Sequence, residues 1–582
     1  MRRRDEWANA GGAAAARGPV KVAAMETYDY IVIGAGSAGC PVASRLSEDA
    51  ASSVLLIEAG GSADYFWIRT PAGMGQMFRE PDYNWNYFTE PVPGARDRAI
   101  FWPRGKTMGG SSAVNGMVYV RGHPQDFDGW EKLGADGWGW DDVLPYFLKS
   151  ESNTRGSGEF HNGEGMLRVS DPILKHPTIE DYVNAADRAG YPRVGDLNAP
   201  PYEGADYHQH TIRGGRRETS YNAFVEPVLH RPNLKVMGRT QVLRIVIENG
   251  AATGVEVLHD GEKRTIAASR EVVLCGGSLN SPHLLMLSGI GDGEMLRSHG
   301  IPVQRHLPGV GRNLQDHWFG PMIWEVTPGS SYNSTLAGWK KYLEGAKYLL
   351  TRKGLLGLSV SASAVFARSS PELPRPDLQM VLRPVSYTFH PQKGIVLVDD
   401  FPGVSAGVVL LNPGSRGHVA LKSADPLAAP AFQPNYLSDP DDGRRTLLGL
   451  RKMRGIMAQA PVSARVVSER MPGIQAQSDE ELLEHENVQD TDLFLALTSD
   501  DEDNIMASLL AKKLGASRVL ALINRRSYAE LMHGTQIDIA LAPAQAVLGE
   551  LLAYVRQGDV QAVHSLRRGV AEALEIVARG DR

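Results

Sequence analysis

The chain has 582 residues, enough for more than one core, and its net charge of −6 carries no basic excess that would point to nucleic acid. Its two cysteines, Cys40 and Cys275, exclude a disulfide framework and lack metal-ligand spacing, so no metal is expected. No apolar run is long enough to span a bilayer. Residues 1–26 hold Arg2, Arg3, Arg4 and an Ala/Gly-rich stretch without an apolar h-region, so no secretory signal is expected. They read as a disordered extension, with Met25 as the natural start and the cytoplasm as the location.

The first predicted element is a strand, Tyr28-Asp-Tyr-Ile-Val-Ile33, followed directly by Gly34-Ala-Gly36-Ser-Ala-Gly39. Cys40 to Leu46 has helical spacing, and a second strand, Val54-Leu-Leu-Ile57, ends in Glu58. Strand, glycine turn, helix and strand, with an acid about 20 residues past the glycines, form the dinucleotide fingerprint in its required context. Gly34 is expected to make the tight turn, Gly36 to let backbone approach a pyrophosphate, and Gly39 to pack helix on strand. Glu58 is expected to accept hydrogen bonds from a ribose.

Farther along come Gly105-Lys-Thr-Met-Gly-Gly-Ser-Ser-Ala-Val-Asn-Gly116, Gly215-Arg-Arg-Glu-Thr-Ser-Tyr-Asn-Ala-Phe224, Gly277-Ser-Leu-Asn-Ser-Pro-His-Leu-Leu-Met-Leu-Ser-Gly-Ile-Gly291, Gly309-Val-Gly-Arg-Asn-Leu-Gln-Asp-His317 and Asn412-Pro-Gly-Ser-Arg-Gly-His418. In this order they resemble the signature blocks of the glucose–methanol–choline (GMC) oxidoreductases, over about 28–483. The resemblance implies FAD as cofactor, an alcohol as small-molecule substrate, and hydride transfer from its carbinol carbon to the flavin. The electron acceptor stays unidentified.

The implied FAD contacts are Gly34, Gly36, Ser37, Gly39, Glu58, Met108, Gly109, Gly110 and Ser111, with Asn115, Gly116, Met117 and Val118 along the flavin and Val242 at the adenine through its backbone. Ser112 is a further hydrogen-bonding group for the flavin's polar edge. Some family members attach FAD through a His in the 105–116 loop. Val114 stands at that position here, so FAD is expected to be non-covalent.

The implied fold is α/β. A Rossmann-like FAD-binding domain (27–170 and 215–320) is intertwined with an α+β substrate domain (171–214 and 321–470), whose strand-rich 376–422 region would floor the active site. Trp67, Trp85 and Trp102 are expected to pack in the core rather than line a substrate entrance.

The family's base is a His in a block resembling His-Pro-Val-Gly-Thr-Cys, with a His or Asn partner about 40 residues on. Neither block is present. His485, His533 and His564 lie in unlike settings, so no catalytic residue is assigned. Loss of a positioned base costs roughly 10²–10⁴ in rate, and turnover is expected to be impaired.

After a junction at 471–487, residues 488–582 resemble part of the nucleotide-binding regulatory protein of Trk-type potassium uptake. The blocks are Asp492-Leu-Phe-Leu-Ala-Leu-Thr-Ser-Asp-Asp-Glu-Asp-Asn-Ile-Met506, Val519-Leu-Ala-Leu-Ile-Asn-Arg-Arg526 and Ile537-Asp-Ile-Ala-Leu-Ala-Pro543. Strands at 493–497, 518–523 and 537–540, alternating with helices at 502–514, 526–533 and 543–556, predict a partial parallel α/β piece. Its own GxGxxG half is missing upstream. The Asp500–Asp503 acidic run is expected to favour a helix dipole rather than hold a metal. Three readings follow: an alcohol oxidoreductase with impaired turnover, an inactive flavin-binding chimera or fusion artefact, and a potassium-uptake regulatory protein.

Overall fold

The computed structural model describes residues 26–78, 80–359, 361–390, 395–473 and Ala476, then four helical positions (Ile505, Ser508, Leu509, Lys512) and five strands between 494 and 576. Residues 1–25 of the expected extension 1–26, most of the junction, the acidic run 500–503, His485 and His533 lie outside the described residues.

Thr27–Ile33 is the centre of a six-stranded sheet ordered Leu234–Met237, Val54–Ile57, Thr27–Ile33, Glu262–Leu274, Ala251–His259, Thr240–Glu248. The first four strands are parallel, and the last two add an antiparallel extension. Both faces of a parallel sheet are covered, which is why these strands read as unbroken apolar runs. Alternate residues go to opposite cores. Val32, Val54 and Leu56 pack with Cys40 and Ala43 of helix Gly39–Leu46. Ile31, Ile33, Leu55 and Ile57 pack with Leu284 of helix Gly277–Leu287. Each fully buried aliphatic side chain contributes about 1.5–3 kcal/mol.

A second six-stranded sheet is antiparallel throughout, ordered Val466–Met471, Trp318–Val326, Gly403–Leu410, Leu378–Arg383, Ser363–Ala367, Gly204–Tyr207. One face carries Met322, Trp324, Met380, Leu382, Ala406 and Val408 against Tyr182 and Ile179 of helix Pro177–Arg188 and Leu450 and Met453 of helix Pro440–Met457. Gly204–Tyr207 joins this sheet before Leu234–Met237 joins the first, so the two units are interleaved along the chain. Trp102 is buried, Trp85 stacks on Tyr87, and Trp67 packs against the first core, as the sequence reading expected.

Farther on, Phe494–Ala496, Val519–Leu522 and Ile539–Leu541 pair in parallel, the arrangement predicted for this segment. An antiparallel hairpin, Val560–Arg567 with Ala571–Ile576, follows and carries His564.

A buried ionic network ties the 151–169 ladder to the rest. Glu151 is fully buried and pairs with Arg121 at 3.0 Å. His161 lies between two carboxylates, with Nδ1 2.9 Å from Glu151 Oε1 and Nε2 2.6 Å from Asp196 Oδ2. Burial alone would push this imidazole down, but the hydrogen bonds to Asp196 and Glu151 outweigh it and raise its pKa to about 9. His176, His208, His210 and His283 are the opposite case, since burial holds them at about 4, 3, 4 and 4.

Stability is therefore expected to peak near neutral pH. The four depressed histidines must gain protons on unfolding below about pH 6.5, so stability falls as pH drops through that value. For the fully enclosed His208 and His210 the slope reaches about 1.4 kcal/mol per pH unit each. The His161 contribution is complete below about pH 6.5 and is lost as pH rises through about 9. Urea unfolding across this range checks both limbs. His161→Gln is expected to remove the decline between about pH 6.5 and 9 and to lower stability at neutral pH by about 1 kcal/mol, after discounting for solvent at the network's rim.

Candidate functional site

The glycine turn after Thr27–Ile33 meets the 105–116 loop backbone to backbone. Gly34 has φ +96°, and a Cβ there would lie 2.6 Å from Cys275 O, at the end of strand Glu262–Leu274. A Cβ on Gly39 would lie 1.8 Å from Gly34 O, so helix and strand touch only because none is present. Gly36 differs. Its added Cβ meets only Gly110 Cα at 3.8 Å and otherwise faces open space. Across from it, Gly109 N–H donates to Ala35 O at 2.7 Å, and a Cβ on Gly110 would stand 2.7 Å from Gly36 Cα.

Glu58 braces this junction. Its buried carboxylate accepts from Ala35 N–H at 3.0 Å and Gly60 N–H at 2.9 Å. Desolvation raises its pKa to about 7 against the pull of those amides. Cys40 lies under the same turn and donates its thiol to Ala35 O, with burial pushing its pKa up to about 12. Val242 lies two positions past Thr240, whose N–H donates to Glu58 O at 2.9 Å. Met108 N–H donates to Gly61 O at 2.9 Å.

Ser37, Ser111 and Asn115 are exposed along this strip, while a Cβ added to Gly116 would meet nothing within 4 Å. Met117 is buried with φ +61°, and Val118 pairs with His210. Ser112 departs from the sequence reading. Its hydroxyl donates to Gly109 O at 2.5 Å and accepts from Ser220 N–H at 2.9 Å, so it holds the loop and is not offered to a ligand.

Two features escaped the sequence reading. Arg217 is 1% exposed; its guanidinium donates to Ile68 O (3.0 Å), Asn115 O (2.6 Å) and Asn115 Oδ1 (2.9 Å). Burial pulls its pKa down to about 9. The 215–224 block contains Arg217, but nothing in the spacing announces that it clamps the loop 100 residues away. His208 and His210 are also buried, and His210 Nε2 lies 2.8 Å from Ser361 O. Both are neutral core imidazoles.

An open glycine strip beside a helix N-terminus, flanked by exposed hydroxyl and amide groups, suits a ligand with phosphates. Fold and turn together define a Rossmann-like α/β protein. The GMC oxidoreductase family's N-terminal profile matches residues 28–319, and its C-terminal profile matches 413–496. Mouse mitochondrial choline dehydrogenase is 38% identical over 464 residues, covering 78% of this chain and 77% of that protein. The oxygen-dependent choline dehydrogenase of Rhizobium johnstonii is 41% identical over 455 residues, covering 78% and 82%.

Among solved structures, a pyridoxine 4-oxidase from Mesorbium loti superposes with TM-score 0.69 at 29% identity, covering 79% of this chain and 86% of that one. A formate oxidase from Aspergillus oryzae gives TM-score 0.71 at 27% identity, with coverage of 79% and 86%. The chain belongs to the GMC oxidoreductases. A TrkA-N domain profile matches 462–543, sharing 462–496 with the GMC match, so both sequence resemblances are borne out. Among the described residues there is no cluster of three or more metal-ligating side chains, and no helix long and apolar enough to cross a membrane.

The glycine geometry separates two substitutions of equal size. Gly39→Ala is expected to cost about 3 kcal/mol or more, because the methyl would collide with Gly34 O. Gly36→Ala is expected to unfold within about 0.5 kcal/mol of the parent chain. Thermal or urea unfolding of the two variants distinguishes them.

Proposed function

We propose that the chain is an FAD-dependent oxidoreductase acting on CH–OH donors of the choline or aliphatic/aromatic alcohol type, with impaired turnover. The observation that carries the cofactor reading is the side-chain-free face of Gly36 beside Gly110, where an added Cβ would meet only Gly110 Cα at 3.8 Å and otherwise face open space. In this reading Gly34, Gly36, Ser37 and Gly39 hold the pyrophosphate at the helix N-terminus. Glu58 and the backbone of Val242 hold the adenosine. Met108, Gly109, Gly110, Ser111, Asn115, Gly116, Met117 and Val118 line the flavin. Bound there, FAD supplies the hydride acceptor for alcohol oxidation.

Non-covalent binding belongs to the same reading, because buried Val114 offers no nucleophile at the loop position used for attachment elsewhere in the family. The Aspergillus formate oxidase, by contrast, is described by modification of its FAD. We assign the FAD-binding domain to 27–170 and 215–320, the substrate domain to 171–214 and 321–470, and a regulatory-type remnant to 488–582. The cytoplasm is the proposed compartment, although the mouse and human relatives are mitochondrial.

Impairment rests on the base. No His-Pro-Val-Gly block occurs in the sequence, and the buried His208 and His210, just past strand Gly204–Tyr207, are held neutral by desolvation. Arg217 positions Asn115 from behind but has no carboxylate to act through. The doubly matched stretch 462–496 favours a chimeric origin for this ending.

The test is the visible spectrum of the purified chain supplied with FAD, before and after anaerobic addition of choline and other alcohols. Flavin bands are expected, with bleaching slower by roughly 10² or more than in relatives that have the base. Gly36→Ala is expected to remain folded and lose the bands. Rapid bleaching would refute the impairment, and a parent chain without bands would refute the cofactor site.

A further inference from the structure

The hairpin that carries Arg217 sets like charges against one another. Strand Ile212–Arg213 turns into strand Arg216–Arg217 through Gly214 and Gly215, at φ +53° and +71°. Positive φ at both central residues makes a tight two-residue hairpin turn. Tyr348 fixes that turn by donating its hydroxyl to Gly215 O at 3.0 Å. The register places Arg213 directly opposite Arg216. Like charges in that position are destabilising, so the pair repels across the hairpin.

Arg213, Arg216 and Arg217 line a cleft of about 290 Å³ together with Arg69, Glu218, Asn222 and Glu226. Four guanidiniums thus face two carboxylates, and both carboxylates are already engaged. Glu218 Oε1 lies 3.7 Å from Arg213 Nη1, and Glu226 Oε2 accepts from Asn222 Nδ2 at 3.0 Å. Among the described residues no carboxylate forms an ion pair with Arg69, Arg216 or Arg217. Buried Arg217 turns Nε and Nη1 to carbonyl and amide oxygens, which leaves Nη2 without a hydrogen-bond partner. Arg69 Nη1 is buried and equally unmatched. A desolvated charge with no counter-charge is costly to hold. An anion in the cleft relieves that cost and screens Arg213 from Arg216.

We propose that this cleft binds a small, multiply charged oxyanion, a carboxylate or phosphate compound, held by Arg69, Arg213 and Arg216 with Arg217 behind them. The planar fork of arginine matches either group. The volume is close to the roughly 300 Å³ at which small-molecule sites begin, which suits a compact ligand rather than a polymer. None of the lining residues is among the proposed flavin contacts, so the site does not rest on the oxidoreductase reading. Arg217 nevertheless links the two, because the same guanidinium holds Asn115 O and Oδ1. An occupied cleft therefore steadies the 105–116 loop from behind.

The experiment is calorimetric titration and thermal unfolding of the full chain, supplied with FAD, in citrate or inorganic phosphate against sodium chloride at equal ionic strength. At least one of the two anions is expected to bind and to raise the melting temperature beyond the chloride control. Which of them binds more tightly tells a carboxylate ligand from a phosphate ligand. Arg216→Ala is expected to weaken binding about tenfold or more. In chloride the same variant is expected to melt no lower than the parent, because the repulsion from Arg213 is gone. Arg216→Glu, which sets an opposite charge across from Arg213, is expected to abolish binding while the fold is kept. Binding of neither anion beyond the chloride control would overturn the proposal, as would binding that both variants retain.

Discussion

Gly109 donates its backbone N–H to Ala35 O across 2.7 Å, and beside that bond Gly36 and Gly110 lie face to face with no side chain between them. The site depends on this contact. It brings together two loops that are 74 residues apart in the chain, and each neighbouring group secures it from a different direction. Glu58 holds Ala35 from below, Ser112 ties the second loop to Ser220, and Arg217 pins Asn115. Cys275 O leaves Gly34 no room for a Cβ, which brings the end of strand Glu262–Leu274 to the same point. The contact is made of polar backbone, so its shape depends on its amides finding partners.

Much of this was legible in the sequence because glycine has few uses. Gly34 and Gly39 occupy positions where backbone conformation or contact forbids a side chain, and the fingerprint's spacing encodes that demand. The parallel core was legible for a related reason: strands covered on both faces are continuously apolar. The 494–541 strands showed through in the same way.

The rest was hidden where function depends on long-range contact rather than local pattern. Ser112 looked like a ligand group because hydroxyls in glycine loops often are one, but tertiary folding supplied Ser220 as its partner. Arg217 reads as an ordinary cation beside Arg216. Only the folded chain shows it stripped of water with backbone carbonyls as its counterparts. His161 gave no signal either, since its two carboxylates come from opposite sides in sequence, Glu151 before and Asp196 after.

The two six-stranded sheets also fix an order of completion along the chain. The first is closed once Leu274 is made, and the second once Met471 is made. During synthesis, everything after 471 is added to a frame whose strands are already present. The chain past that point still reaches inward, for Ala476 is buried in the second sheet's core and its carbonyl receives Arg454, so that core is finished by residues made after its last strand.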